Sequence, residues 1–188
     1  MMKPILLDFP AEFYTDRLVI RMPRPGDGKA VFNAIQVSIN ELKPWMSWAH
    51  KEQTEQDVEK NIREAYVKFL AREDLRHHIF LKESGEFIAA SGLHRINWDV
   101  PKFEIGYWID TRFCGNGYIT EAVAGITHFA FHELKGKRVE IRCDSKNVKS
   151  RAIPEKLGFS LEGIFKNDGM SADGKEVRDT RIYARTNS

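Results

Sequence analysis

Cysteine is nearly absent: only Cys114 and Cys143 occur among 188 residues. Two thiols make neither a disulfide framework nor a metal set, so no metal is expected, and their scarcity points to a reducing, cytoplasmic compartment. A surplus of charge is missing too. The 29 lysines and arginines face 27 acidic residues, for a net +2, without the basic excess that a nucleic-acid partner usually demands. No stretch approaches the roughly 20 apolar residues of a membrane span, and the N-terminal MMKPILLDFPAEF has too short an apolar run for a signal peptide. There is no internal repeat, low-complexity segment or linker. With 42% hydrophobic and 30% charged residues, the expectation is one soluble globular domain over 1–188.

Two nucleotide motifs are incomplete. In GYWIDTRFCGNGYIT, Gly106 to Thr120, the frame set by Gly115 and Gly117 puts Thr120 where a dinucleotide fingerprint needs its third glycine. The Gly-Lys-Ser/Thr ending of a triphosphate loop is absent as well. What is present is an apolar strand, a turn with two glycines and the start of a helix. Glycines let backbone N–H groups approach a bulky anion, and a helix N-terminus adds unpaired donors and partial positive charge. The stretch reads as a pyrophosphate seat, the bland alternative being an ordinary glycine turn into a helix.

The remaining pattern alternates strands and helices. Arg17 to Met22 reads as a strand ended by Pro23, Pro25 and Gly26; Asp27 is then the expected cap of a helix burying Val31, Phe32 and Ile35. Thr54 and Asp57 approximate a capping box before a helix with a stripe of Val58, Ile62, Ala65, Tyr66 and Phe69. HHIFLK and FIAASGLHRI form a hairpin, followed by strand Phe103 to Ile109. A helix from Gly117 to Leu134, strand Arg138 to Cys143, a short helix from Asn147 to Leu157 and a last pair from FSLEGIF and VRDTRIYAR complete the chain. Pro154 conflicts with a regular helix from Asn147, because it removes the hydrogen bond to the Ser150 carbonyl; the helix must start late or kink, leaving that carbonyl for cofactor or water. The class is mixed α/β, a twisted sheet of about seven strands with helices on both faces.

Arg112-x-x-Gly115-x-Gly117 resembles the coenzyme A-binding signature of the GNAT acetyltransferases. Asn147-x-x-Ser150 followed by Glu155-Lys-Leu-Gly158-Phe159 resembles that family's second coenzyme-contacting segment, in the same order. TDRLVIR, LKPWMSW, FEIGYWI, GNGYITEA, NVKSRA, EKLGFSLEG and DTRIYAR are similar to the RimJ/RimL branch, the ribosomal-protein N-terminal acetyltransferases, over nearly the whole length. The resemblance implies a GNAT fold, acetyl-CoA as cosubstrate and direct attack of an amine on the thioester. The acceptor it implies is the α-amine of a protein or peptide N-terminus, and the protein a monomer or homodimer.

Roles follow residue by residue from that resemblance. Cys114, Gly115, Asn116, Gly117, Tyr118, Ile119 and Thr120 would cradle the pyrophosphate, Arg112 would add charge, and Asn147 would contact the cosubstrate. Backbone N–H groups at Trp108 and Ile109 would meet the oxyanion. Ser150 would protonate the departing thiolate; as a bland alternative it merely caps its helix. Glu104, on one strand face with Gly106 and Trp108, is the candidate base, with Asp168, just beyond the penultimate strand, or water as rivals. His94 could relay a proton, and Trp45 and Trp48 would wall the acceptor pocket. Two other functions stay open: acetylation of a small amine such as a polyamine or aminoglycoside, and a non-catalytic coenzyme-binding module. A Rossmann oxidoreductase lacks its repeated parallel units here.

Overall fold

The sheet in the computed structural model, which describes residues 3–187, starts with a strand too short to carry a sequence period. β1 (Glu12–Tyr14) pairs antiparallel with β2 (Leu18–Arg21), Phe13 opposite Ile20. It raises the expected seven strands to eight. The others are β3 (Leu75–Leu81), β4 (Phe87–Asn97), β5 (Lys102–Ile109), β6 (Arg138–Asp144), β7 (Ser160–Met170) and β8 (Val177–Thr186). Their order is β1-β2-β3-β4-β5-β6-β8-β7, antiparallel throughout except for β5 against β6.

That parallel contact is brief. Lys102, Phe103 and Glu104 pair with Arg138, Val139 and Glu140, and there the pairing stops. β5 continues along β4 as far as Ile109, while β6 continues along β8 as far as Asp144. Beyond Glu104 the two central strands therefore diverge and leave a wedge-shaped gap in the sheet.

Strand alternation sorts side chains onto two helical layers. Phe103 and Ile105 on β5 join Ile88 and Leu93 on β4 in the larger core, under Ala122, Val123, Ile126, Phe129 and Ala130 of α3 (Tyr118–His132). α4 (Val148–Lys156) adds Ile153 to it. The opposite face is covered by α1 (Gly28–Leu42) and α2 (Glu55–Ala71), whose Val31, Ile35, Val58 and Ile62 pack on Phe87, Ala90 and Trp108. Each large apolar side chain buried this way contributes about 1.5–3 kcal/mol, which fixes both the strand register and the helix faces.

Helix ends follow local chemistry. Thr54 and Asp57 close the capping box at α2, hydroxyl to backbone N–H and carboxylate to backbone N–H. Asp27, expected to cap α1, makes no such bond. Its carboxylate instead takes two bonds from Arg21, at 2.9 and 2.7 Å, and lies 2.7 Å from His78 Nδ1. Buried opposite charge outcompetes the cap.

Candidate active site

The turn between β5 and α3 is anchored from below. Asp110, with no exposed surface, accepts from the Arg112 backbone N–H at 2.9 Å and binds the Arg112 guanidinium at 2.6 Å. A 3₁₀ turn over Thr111–Phe113 follows, then Gly115 at φ 83° and Gly117 at φ 78°, conformations that side chains resist. The amides of residues 115–120 donate to no acceptor among the described residues. Six N–H groups thus line a turn at a helix N-terminus, an arrangement suited to a pyrophosphate. Arg112 does not join them: Asp110 and, at 3.7 Å, Glu86 hold its guanidinium. Arg112 was expected to add charge at this seat; its guanidinium, half exposed, is paired with that buried carboxylate.

Arg17 braces the loop instead, a residue the motif did not suggest. Its Nε binds Glu121 at 2.6 Å, its Nη1 donates to the Asn116 carbonyl at 3.1 Å, and its guanidinium lies 4.4 Å from the Tyr118 ring centroid. Cys114 sits on the loop as a free thiol, pushed up from its ordinary pKa by burial against the opposing pull of Lys149. It is no activated nucleophile.

Beyond the loop lies the wedge between β5 and β6. The Asp110 amide donates to Ile88 of β4, and Ser91 Oγ donates to the Gly106 carbonyl at 2.8 Å. Even-numbered backbone groups therefore face β4, and alternation turns those of Tyr107 and Ile109 toward the gap. Of the two amides expected at the oxyanion, that of Ile109 faces the gap, while the Trp108 amide, opposite Ala90, belongs to the β4 ladder. Across the wedge, Asn147 Oδ1 caps α4 by accepting from the Ser150 N–H at 3.0 Å. Pro154 sits inside α4, and the Ser150 carbonyl it leaves free accepts the Tyr107 hydroxyl at 2.8 Å. A protein side chain, not cofactor or water, takes that carbonyl. Ser150 Oγ in turn lies 3.3 Å from the Tyr107 oxygen. Burial raises the Tyr107 phenol well above its ordinary pKa, so it stays protonated. Cys143, also at the gap, is a buried thiol pushed up to about 11 by burial.

On the α1–α2 side the sheet floors a cavity of 720 Å³, lined among others by Trp48, His78, His94, Gly106, Tyr107 and Trp108. Trp48 and Trp108 pack 6.0 Å apart, centroid to centroid. His94 Nδ1 is 2.6 Å from Asp74 Oδ2. A second cleft of 510 Å³, toward β7 and β8, holds Trp45, Glu104, Arg142, Asp168 and Arg178. There Glu104 meets Arg95 at 3.3 Å, Asp168 meets Arg142 at 3.1 Å, and Arg178 lies 5.2 Å from the Trp45 ring. Asp168 was expected in a loop; β7 in fact runs on to Met170, and Asp168 occupies the irregular stretch between Phe165 and Gly169. A third depression, along Glu55, Glu59, Lys60 and Arg63, is a solvated face of α2 remote from the gap. No group of three metal-ligating side chains gathers among the described residues.

Residues 17–160 match the family model described as an acetyltransferase (GNAT) domain. The chain belongs to this family. It is an N-acetyltransferase, with the family's mixed α/β fold. It is 31% identical over 160 residues to YdaF of Bacillus subtilis (strain 168), a provisionally named ribosomal N-acetyltransferase, covering 85% of this chain and 86% of that one. It is 28% identical to the ribosomal-protein-serine acetyltransferase of Escherichia coli (strain K12), over 77% and 78% of the two chains. Among solved structures, the ribosomal L7/L12 α-N-protein acetyltransferase RimL in complex with coenzyme A superposes with a TM-score of 0.82 at 21% identity, covering 94% of this chain and 96% of that one.

Proposed function

We propose that this N-acetyltransferase transfers the acetyl group of acetyl-CoA to an N-terminal α-amine of a ribosomal protein. The observation that carries the reading is β5 itself, whose pairing with β6 stops at Glu104, whose Gly106, Tyr107 and Trp108 line the cavity, and which leads into the six-amide turn at residues 115–120. The two curated relatives named as ribosomal acetyltransferases support the acceptor class. The residues fit the cosubstrate. Free amides and positive-φ glycines suit its pyrophosphate, and Asn147 Nδ2, which has no acceptor among the described residues, stands at the far wall of the gap.

Acetyl-CoA supplies an acyl group already activated as a thioester. This chain's part is positioning and proton traffic. The Tyr107 and Ile109 amides, turned into the gap, meet the negative charge that develops on the acyl oxygen. Ser150 Oγ–H, whose 3.3 Å bond to Tyr107 is long for a hydroxyl pair, turns toward the sulfur and protonates it. Glu104 and Asp168 line the second cleft, each paired with an arginine, while Trp45 in that cleft and Trp48 in the cavity flank the acceptor's first residues. The two free cysteines support a reducing, cytoplasmic setting.

Thiol release from acetyl-CoA across a panel of acceptors tests this. The panel holds peptides beginning with serine, alanine and other residues, together with polyamines and aminoglycosides. Release with particular peptide N-termini is the expected result. Release with small amines alone would move the enzyme to a different substrate class, and silence throughout would overturn the reading.

A further inference from the structure

The cavity behind the gap contains two imidazoles, each held at Nδ1 by an aspartate. His78 is 2.7 Å from Asp27 and His94 is 2.6 Å from Asp74. Their surroundings differ. Asp27 is also clasped by two Arg21 nitrogens and the Arg24 amide, and His78 is 1% exposed at the side chain. That group is a closed structural knot. Asp74 has His94 as its one ion-pair partner among the described residues, and the His94 side chain is 30% exposed. Burial works to raise Asp74, but the His94 hydrogen bond and nearby positive charge outweigh it and hold the carboxyl below its ordinary value. Asp74 is therefore a carboxylate that accepts from Nδ1–H, so that in the neutral imidazole the lone pair lies on Nε2.

Nε2 faces the place where an acceptor would sit. His94 is opposite Glu104 in the β4–β5 register, next to the Gly92–Gly106 pair. A Cβ at Gly106 would stand 3.5 Å from His94 Cδ2 and 3.8 Å from Nε2, so the missing side chain keeps that edge of the imidazole open. The same cavity is lined by Tyr107, whose hydroxyl reaches Ser150 on the other side of the sheet. Glu104 and Asp168, the carboxylates that could serve as bases, each hold an arginine.

We propose that His94 Nε2 is the base that takes the acceptor amine's proton, with Asp74 as the residue that fixes its tautomer. This rests on the acetyl-transfer reading. The neutral amine forms the new C–N bond as the C–S bond breaks. The nitrogen's surplus proton passes to His94 Nε2, the sulfur takes a proton from Ser150, and the proton gained by His94 replaces the one Ser150 gave up, so that no net proton is released from a neutral amine. Besides Asp74, the charged and titratable groups around His94 are Arg76, His77 and His78 of β3, Lys60 and Glu64 of α2, Arg95 beside it and Glu104 opposite.

Two measurements test it. Imidazole ¹⁵N NMR of the whole protein should show His94 with the proton on Nδ1, and Asp74→Asn should shift it toward the Nε2–H form. With the best acceptor peptide, His94→Gln should lower kcat about a hundredfold or more and abolish the acid-side inflection of kcat/KM, with acetyl-CoA affinity by calorimetry unchanged. Asp74→Asn should lower kcat less, and Asp74→Glu should restore part of it. An Nε2–H tautomer in the wild type would overturn the proposal, as would an active His94→Gln enzyme with the wild-type pH profile. A wild type silent with every acceptor would sink the acetyl-transfer reading and the base with it; an active one isolates the base.

Discussion

The Tyr107 hydroxyl donates to the Ser150 carbonyl at 2.8 Å, occupying the acceptor that Pro154 leaves without an amide donor. The bond joins β5 to α4 across the gap, at the one point where helix hydrogen bonding is interrupted. Tyr107→Phe removes it and strands a partly buried carbonyl. We expect a loss of about 1–3 kcal/mol, measured as a lower urea midpoint, together with reduced turnover because Ser150 loses its fixed partner. An unchanged midpoint would show that water replaces the hydroxyl.

Ser150→Ala separates the hydroxyl from the carbonyl. The Tyr107 bond goes to the backbone, and so does the Asn147 cap, so α4 should stay formed. Turnover should fall with acetyl-CoA affinity nearly unchanged, as judged by stopped-flow rates beside calorimetry. A wild-type rate in the variant would remove Ser150 as the acid.

Much of this site was legible in the sequence because it depends on backbone. The glycine turn needs only Gly115 and Gly117 in the left-handed region, and residue type reports that directly. The α2 stripe and the two strand faces likewise follow from periodicity. What stayed hidden depends on which distant side chain wins a partner. Arg112 looked like a phosphate ligand, but a fully buried aspartate two residues earlier captures it. Asp27 looked like a cap, but Arg21 and His78 claim it. Nothing local to Tyr107 signals that its hydroxyl meets the Ser150 carbonyl left free by Pro154, 43 residues on. Asp74 attracted no notice, because its pairing with His94 spans 20 residues.

The Asp110–Arg112 pair can be tested on its own. Arg112→Ala leaves the Asp110 carboxylate buried without its guanidinium, and the cost should be about 2 kcal/mol given that Arg112 is half exposed. The KM for acetyl-CoA should hardly move. A variant of normal stability with much weaker cosubstrate binding would restore Arg112 to the phosphate site.

Gly117→Val addresses the cradle. At φ 78° a β-branched residue is strained by about 1–3 kcal/mol, which the loop relieves by turning its amides out of line. At about tenfold per 1.4 kcal/mol, acetyl-CoA should bind roughly ten- to a hundredfold more weakly by calorimetry. Unchanged affinity would remove the turn from the pyrophosphate site.

His77 predicts the acid behaviour of the fold. It is fully buried among the rings of Phe13, Phe69 and Phe129, and neither ring nitrogen makes a well-formed hydrogen bond among the described residues. Burial lowers its pKa from 6.5 to about 3. The folded state thus holds His77 neutral while the unfolded chain protonates it below pH 6.5. Below that pH the unfolded state binds the extra proton, so this contribution is fully present above pH 6.5 and is lost as pH falls toward 3. The slope is about 1.4 kcal/mol per pH unit for one such group. His77→Phe replaces an unpartnered ring with an apolar one of similar shape. Urea titrations between pH 7 and pH 4 should then show the acid limb flattened by close to one proton's worth relative to the wild type. The buried His78 should leave some slope in both proteins, since burial lowers its pKa too. Parallel acid limbs in the two proteins would mean that His77 finds a buried water and is no acid trigger.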